Sequence, residues 1–334
     1  MFERCDWVKG LILVCVSLAA AGGLWAQGVV GETAEIRYQI FNPEPKGTII
    51  DQAKWIAKNV KGKVLRYRVF VRTDADVNLL STVLRAPVLS IIRVAGIPVV
   101  NQKLSVEAVT TGGRNAAGLA FISGQGVAKD GVILEMKPLV ETAVTNIDKA
   151  LTAVQLAPED VLTVSCFVSS LQDAADVQTQ VTGHYPKASV NVLQIAMPYG
   201  KALAECEAVA AAKGPVGFVY PEGLTKSPNF TQVVGVNTRR IAYSALYGAA
   251  PCTADATRAM FTALATDLGK LGASVKDVAF SHLYPNTEDG VNLTRQVRFE
   301  FYNKEKAPAS TLVNFLGFMD RKPCTGVEVV APVP

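Results

Sequence analysis

Two spacings of apolar residues alternate along this chain. Runs with every second residue apolar, the mark of a half-buried strand, are separated by runs with apolar residues three and four apart, the mark of an amphipathic helix. The middle of the chain shows this most plainly. Leu119–Ile122 is a short apolar run that ends at Ser123-Gly124-Gln125. From Lys137 to Val154 the spacing predicts a helix with Leu139, Ala143, Ile147, Ala150 and Leu151 on one face. A strand over 160–168, a polar helix near 173–181, and strands over 188–195 and 202–210 complete a unit. Its order is strand, helix, strand, helix, strand, strand.

The same order is predicted twice more, which makes an internal repeat the first reading to consider. Ahead of the middle unit come a strand over 34–41, the turn cluster 42–47, a helix over 50–60, a strand over 63–71, a helix over 75–85, and strands over 88–95 and 104–109. Its closing Val106-Glu107-Ala108-Val109 echoes Cys206-Glu207-Ala208-Val209. Behind the middle unit, Phe230–Val236 and Arg240–Leu246 read as a hairpin joined by Asn237-Thr238. Then follow a long helix over 253–271, a glycine stop and strand over 272–280, a helix over 292–303 preceded by Asp289-Gly290, and strands over 308–313 and 326–330. A lone unit leaves one sheet face bare, so three units in one chain are expected to pack together.

The Ser123-Gly124-Gln125 turn, the long helix bearing Asn146, the Asp160-Val161 strand start and the terminal Glu207-Ala-Val-Ala210 occur in an order that resembles the Rid family, also called YjgF or RidA-like and labelled endoribonuclease L-PSP-like. The Pro308-Ala-Ser-Thr-Leu-Val313 wording is similar to that family as well. The resemblance implies an α+β, chorismate mutase-like fold. Three tandem units would form an intramolecular pseudo-trimer with sheets inside, helices outside and ligand clefts between units. The expected boundaries are 27–112, 113–213 and 214–334, and the chain is expected to be a monomer. In catalytic members the reaction is hydrolysis of 2-imino acids to 2-keto acids and ammonia.

The first residues stand apart from this pattern. Arg4 and Lys9 precede an apolar run over 11–21 and then Leu24-Trp25-Ala26, which reads as a signal peptide over 1–26 cleaved after Ala26. The run is too short to span a membrane. An exported, periplasmic or extracellular chain without a membrane anchor is the expectation. The formal net charge is +4 and no Lys/Arg stripe with interleaved aromatics occurs, so nucleic acid is not an expected partner. Export permits disulfides among Cys166, Cys206, Cys252 and Cys324, though buried small hydrophobes remain the alternative. His184 and His282 are isolated, and neither a metal nor a cofactor is expected.

The resemblance also says where to look for chemistry. Catalytic relatives carry an arginine at the start of the third strand of the unit, where its planar fork takes a carboxylate bidentately. Aligning the runs puts Leu89, Lys187 and Ser310 at that place, so the arginine is missing in all three copies. Glutamates survive before the terminal Ala-x-Ala as Glu107 and Glu207, with Glu328 in the third copy. The middle unit is therefore the best candidate. Lys187 and Glu207 are its candidate catalytic pair, and Ser123, Gly124, Gln125 and Ser189 its candidate ligand contacts. Leu89, Glu107, Ser310 and Glu328 are the degenerate equivalents. For Lys187 and Glu207 the alternative is an exposed strand-end side chain. Three functions follow: a binder of a small carboxylate or imine metabolite in an inter-unit cleft, an imine deaminase acting through Lys187 and Glu207, or a non-catalytic interaction scaffold.

Overall fold

The computed structural model describes residues 28–72, 77–115, 118–196, 200–318 and 322–334. The expected signal peptide lies outside them.

The chain is α+β with three separate sheets. Its first strand, β1 (Val29–Glu32), belongs to the last of them. The first sheet takes β2 (Arg37–Phe41), β3 (Val64–Val71), β4 (Val88–Arg93) and β5 (Leu104–Thr110) in the order β2-β5-β3-β4, with α1 (Ile49–Asn59) and the single turn α2 (Leu80–Val83) in its crossovers. The second takes β6 (Gly118–Asp130), β7 (Val161–Val168), β8 (Ser189–Gln194) and β9 (Lys201–Ala212) in the order β6-β9-β7-β8, with α3 (Lys137–Ala153) and α4 (Ala174–His184). Two more strands, β10 (Phe218–Val219) and β11 (Val233–Val236), extend it beyond β6. The third contains β12 (Arg240–Tyr243), β13 (Tyr247–Ala249), β14 (Phe280–Leu283), β15 (Ala309–Leu312) and β17 (Thr325–Val333), with α5 (Ala254–Lys270) and α6 (Glu288–Phe301). Its order is β12-β17-β14-β15, with β13 also on β17. The short β16 (Gly317–Phe318) leaves it to pair with β4.

One strand order thus recurs in all three sheets. In each, the second and third core strands are parallel and the last runs antiparallel between the first and second. The parallel step needs a helical crossover, which is why helices collect on one face. Each sheet packs that face on its own helices: Leu139, Ile147 and Val177 over the second, Phe261, Leu264 and Val297 over the third, Ala53, Ile56 and Leu80 over the first. The opposite faces meet one another. Val109, Phe121, Val209, Phe280 and Val330 form one shared core, and Phe70, Phe167, Leu193 and Phe315 another. Burying each such side chain contributes roughly 1.5–3 kcal/mol, so the sheets have every reason to stay together.

Two local expectations are corrected. β11 and β12 do not form a hairpin: β11 pairs with β6 of the second sheet, whereas β12 pairs with β1 and β17 of the third. The Asn237-Thr238 pair is the point where the chain changes sheets, a step that alternation along two adjacent strands cannot distinguish from a turn. α6 starts at Glu288 rather than at 292, because the Thr287 hydroxyl caps the Gly290 amide and Glu288 and Asp289 suit the positive end of the helix. The four cysteines among the described residues are paired. Cys166 bonds Cys206 across β7 and β9, and Cys252 ahead of α5 bonds Cys324 beside the start of β17. No helix among the described residues is long and apolar enough to cross a membrane.

Candidate functional site

The three glutamates meet at the centre of the molecule. Strand register pairs Glu107 with Arg68, Glu207 with Ser165 and Glu328 with His282. The adjacent third strands bring Ser90, Asn191 and Thr311 into the same rows. Each carboxylate then faces the row of the next sheet. Glu107 accepts from Ser165 Oγ at 2.8 Å and Asn191 Nδ2 at 2.9 Å. Glu328 accepts from Ser90 Oγ at 2.8 Å, and its Oε1 lies 3.4 Å from Arg68 Nη1. Glu207 Oε2 lies 3.3 Å from His282 Nδ1, and Thr311 stands beside Glu207 without a hydrogen bond of its own.

Only one row carries a strong cation. Arg68 donates from Nε to Glu107 at 2.7 Å and from Nη2 to Glu207 at 3.1 Å, so a single guanidinium touches all three carboxylates. Its Nη1 is 2.6 Å from His282 Nδ1, and because guanidinium nitrogens only donate, Nδ1 is the bare acceptor nitrogen of that ring. Burial pushes Glu207 up, and the imidazole of His282 and the guanidinium of Arg68 more than reverse this, holding it below the usual carboxylate range. With Nδ1 accepting, Arg68 carries that effect. Glu328 is likewise raised by burial and lowered further by Arg66 and Arg68. Arg68 and the three glutamates are each less than one-tenth exposed. The adjoining void, about 30 Å³ and lined by Arg66, Glu107 and Glu207 among others, has room for little more than a water. The centre is a closed ionic hub.

Lys187 is elsewhere. It stands exposed ahead of β8, four residues before Asn191, which shares a row with Ser165 and Glu207. At about 3.3 Å per residue that is roughly 13 Å along the strand. The structure does not bring Lys187 and Glu207 together. Register also corrects the alignment: Leu89 pairs with Tyr67 and Ser310 with Ser281, each one step before its glutamate row, and the residue at that step in the second sheet is Val190, opposite Val164. A three-residue slip between Pro186 and Val190 is invisible to a match on Pro-x-x-Ser wording. Ser189 donates to the Tyr38 carbonyl at 3.1 Å, a contact between sheets.

An open cleft lies between the second and third sheets. Gly124, Gly126 and Glu205 form one wall, Ser310 and Leu312 of β15 with Arg295 and Arg298 of α6 the other, and Asn229 and Phe230 the rim; its volume is about 270 Å³. Two sequence candidates, Gly124 and Ser310, are therefore brought together. Ser123 supports them from behind: its hydroxyl donates to the Thr231 carbonyl at 2.5 Å and accepts the Ser310 amide at 2.9 Å. The Gln125 side chain donates to Gln232 at 2.8 Å and, with Gly124 and Phe230, lines an adjoining hollow that reaches Asn146. A Cβ at Gly124 would come within 2.0 Å of the Glu205 carboxylate, so a larger residue there would displace that side chain.

Glu205 and Arg298, neither of them among the residues expected from the sequence, give the cleft its chemistry. Glu205 lies two residues before Glu207 on the same face of β9, so alternation was the available signal. Burial and the neighbouring Glu207 charge push its carboxyl up to about 8, against a hydrogen bond from the Leu312 amide that lowers it. It is mostly protonated at neutral pH. Arg298 is 3% exposed, its Nε has no partner among the described residues, and burial lowers its pKa to about 10. Desolvating an arginine without a carboxylate is costly, and an anion in the cleft relieves that cost. The corresponding corners are shut. The equivalent of Glu205 is Ser105 in the first sheet, buried and bonded to Asn191 at 3.0 Å, and Gly326 in the third, whose missing side chain is replaced by the Phe318 ring.

No family model matches this chain, and no curated protein matches it. Among solved structures, a Mycobacterium tuberculosis protein described as a member of the YjgF/YER057c/UK114 family is similar at 18% identity, covering 28% of this chain and 79% of its own, with a TM-score of 0.24. A chorismatase is similar at 12% identity, covering 90% of this chain and 99% of its own, with a TM-score of 0.26. A cyanuric acid hydrolase from A. caulinodans is similar at 12% identity over 90% of this chain and 99% of its own, with a TM-score of 0.21. The likeness to YjgF-family structures is thus partial.

Proposed function

We propose that this chain is an exported RidA-like protein that binds a small carboxylate in the cleft between its second and third sheets. In this reading the signal peptide at 1–26 is removed, and units at 27–112, 113–213 and 214–334 form an intramolecular pseudo-trimer that works as a monomer. The recurrence of one strand order and the cyclic meeting of Glu107, Glu207 and Glu328 with the next sheet support the assembly. The observation that carries the function is Arg298, a buried guanidinium that lines the cleft and whose buried Nε has no partner among the described residues. It supplies from a helix the charge that Leu89, Val190 and Ser310 lack on the third strands. Thermal shift against propionate or pyruvate tests this, since a ligand that binds only the folded state stabilises by RT ln(1 + [L]/Kd). No shift at a concentration a hundred times the millimolar range, or an equal shift in Arg298→Gln, overturns it.

One observation favours a second reading, hydrolysis of a C=N bond: Glu205 presents a largely protonated carboxyl across the cleft from Arg298. A group with a pKa near the working pH can give a proton to the departing nitrogen and take one from the attacking water. The reaction consumes one water and yields a keto acid and ammonia. Keto-acid release from iminopropanoate, generated by an amino-acid oxidase, is expected to accelerate with the protein and to lose that acceleration in Glu205→Gln. Equal rates with and without the protein leave the binding reading alone.

A further inference from the structure

Arg298 is not the only guanidinium in the cleft. Arg295 lies three residues earlier on α6, hence on the same helical face, and lines the same cavity. The two differ in depth: Arg298 is buried and Arg295 is exposed at the mouth. They are close enough for Arg295 to disfavour the charged form of Arg298. Elsewhere in the molecule such proximity is relieved by carboxylates, as where Arg258 is held by Asp255 and Glu300, or Arg68 by three glutamates. Among the described residues no carboxylate pairs with Arg295 or Arg298, and Arg298 has only the face of the Phe299 ring at 5.0 Å. The carboxylate that lines the cleft, Glu205, is bonded to the Leu312 amide and held largely in its uncharged form. Two like charges therefore stand one helical turn apart on one wall of the cleft.

We infer that the cleft is built for a dianion, a short dicarboxylate with one carboxylate on Arg298 in the depth and the other on Arg295 at the mouth. This rests on the small-carboxylate reading and narrows it. Cβ atoms three residues apart on a helix are about 5–6 Å apart, a spacing that separated carboxylates match better than a compact tetrahedral anion does. The arginines also lie in the C-terminal half of α6, away from the helix end whose amides would favour a phosphate. Phe230 and Leu312 supply apolar surface for the carbon chain between the two charged ends. Glu205, uncharged, faces the ligand as a hydrogen-bond donor rather than as a third charge.

The test is calorimetric titration of the purified protein with succinate, butyrate and inorganic phosphate. Succinate is expected to bind at least tenfold more tightly than butyrate, the loss of a charge-assisted contact being worth about 10- to 100-fold. In Arg295→Gln, an exposed change that leaves the core untouched, the preference disappears while butyrate affinity is retained. In Arg298→Gln both ligands are lost, and Arg298→Lys, which keeps the charge without the fork, weakens both if the glutamine variant does not fold. Equal affinity for succinate and butyrate overturns the dianion inference and leaves the carboxylate reading standing. Phosphate binding more tightly than succinate overturns the dicarboxylate in favour of a phosphoryl ligand. Binding of none of the three overturns both.

Discussion

Glu205 and Glu207 sit two residues apart on one face of one strand, yet they live in opposite electrostatic worlds. Glu207 points into the central hub, where Arg68 keeps it ionised. Glu205 points into the cleft, where burial and its neighbour's charge push it up to about 8. Both are removed from bulk water, so burial alone does not decide the protonation state; the presence of a paired cation does. The comparison separates two uses of the same chemistry. In the hub each of the three carboxylates has an arginine of the same chain beside it, and the result is a contact shared by three sheets. In the cleft Arg295 and Arg298 have no carboxylate partner among the described residues, and the Glu205 carboxyl is held largely uncharged.

The sharpest way to break this comparison is to remove the hub's cation. Arg68→Ala strands three buried carboxylates and is expected to cost about 3–5 kcal/mol in urea unfolding, whereas Arg298→Gln is expected to change stability by less than about 1 kcal/mol. Equal losses would mean that both regions are structural. A smaller effect comes from the two glutamates and changes sign between them. The Glu205 carboxyl is raised above its unfolded value, so its favourable contribution is present in acid and is lost as pH rises through about 8. Glu205→Gln is therefore expected to gain stability over the native chain as pH rises from about 5 to about 8, by roughly 1.4 kcal/mol for each unit of that interval. Glu207 is lowered, so its contribution is present above the ordinary carboxylate range and is lost on acidification. Glu207→Gln should thus be destabilised at pH 7 and approach the native chain as pH falls, a divergence that urea midpoints at pH 4, 7 and 8.5 would reveal. The smallest effect belongs to Lys187→Ala, expected within about 0.5 kcal/mol and without effect on ligand affinity. A loss of binding there would move the site away from α6.

Much of this architecture was legible in the alternation of spacings. The long helices at 137–153 and 254–270 fall where their apolar faces predict, and the equivalence of Glu107, Glu207 and Glu328 reappears as register. What alternation does not reveal is which face of a strand is wet. In β3, Arg66 and Arg68 alternate with Tyr67 and Val69, the signature of a half-solvated strand, but here the charged face is the one turned into the shared centre. The same ambiguity made Glu207 look like a cleft residue and hid Glu205 behind it. Arg295 and Arg298 were out of reach for a different reason. They reach the cleft from α6, which packs on the third sheet, and no spacing along β6 or β9 of the second sheet points to them.

The pairing of β1 with β12 bears on how the molecule is made. Residues 29–32 leave the ribosome more than two hundred positions ahead of the strand they dock on, residues 240–243. Until residues 240–243 have been synthesised, residues 29–32 have no mate in the third sheet. Such distant partnerships slow folding and lengthen the interval in which an open strand edge is available to neighbours. The nascent chain must hold residues 29–32 in reserve for a strand more than two hundred residues later.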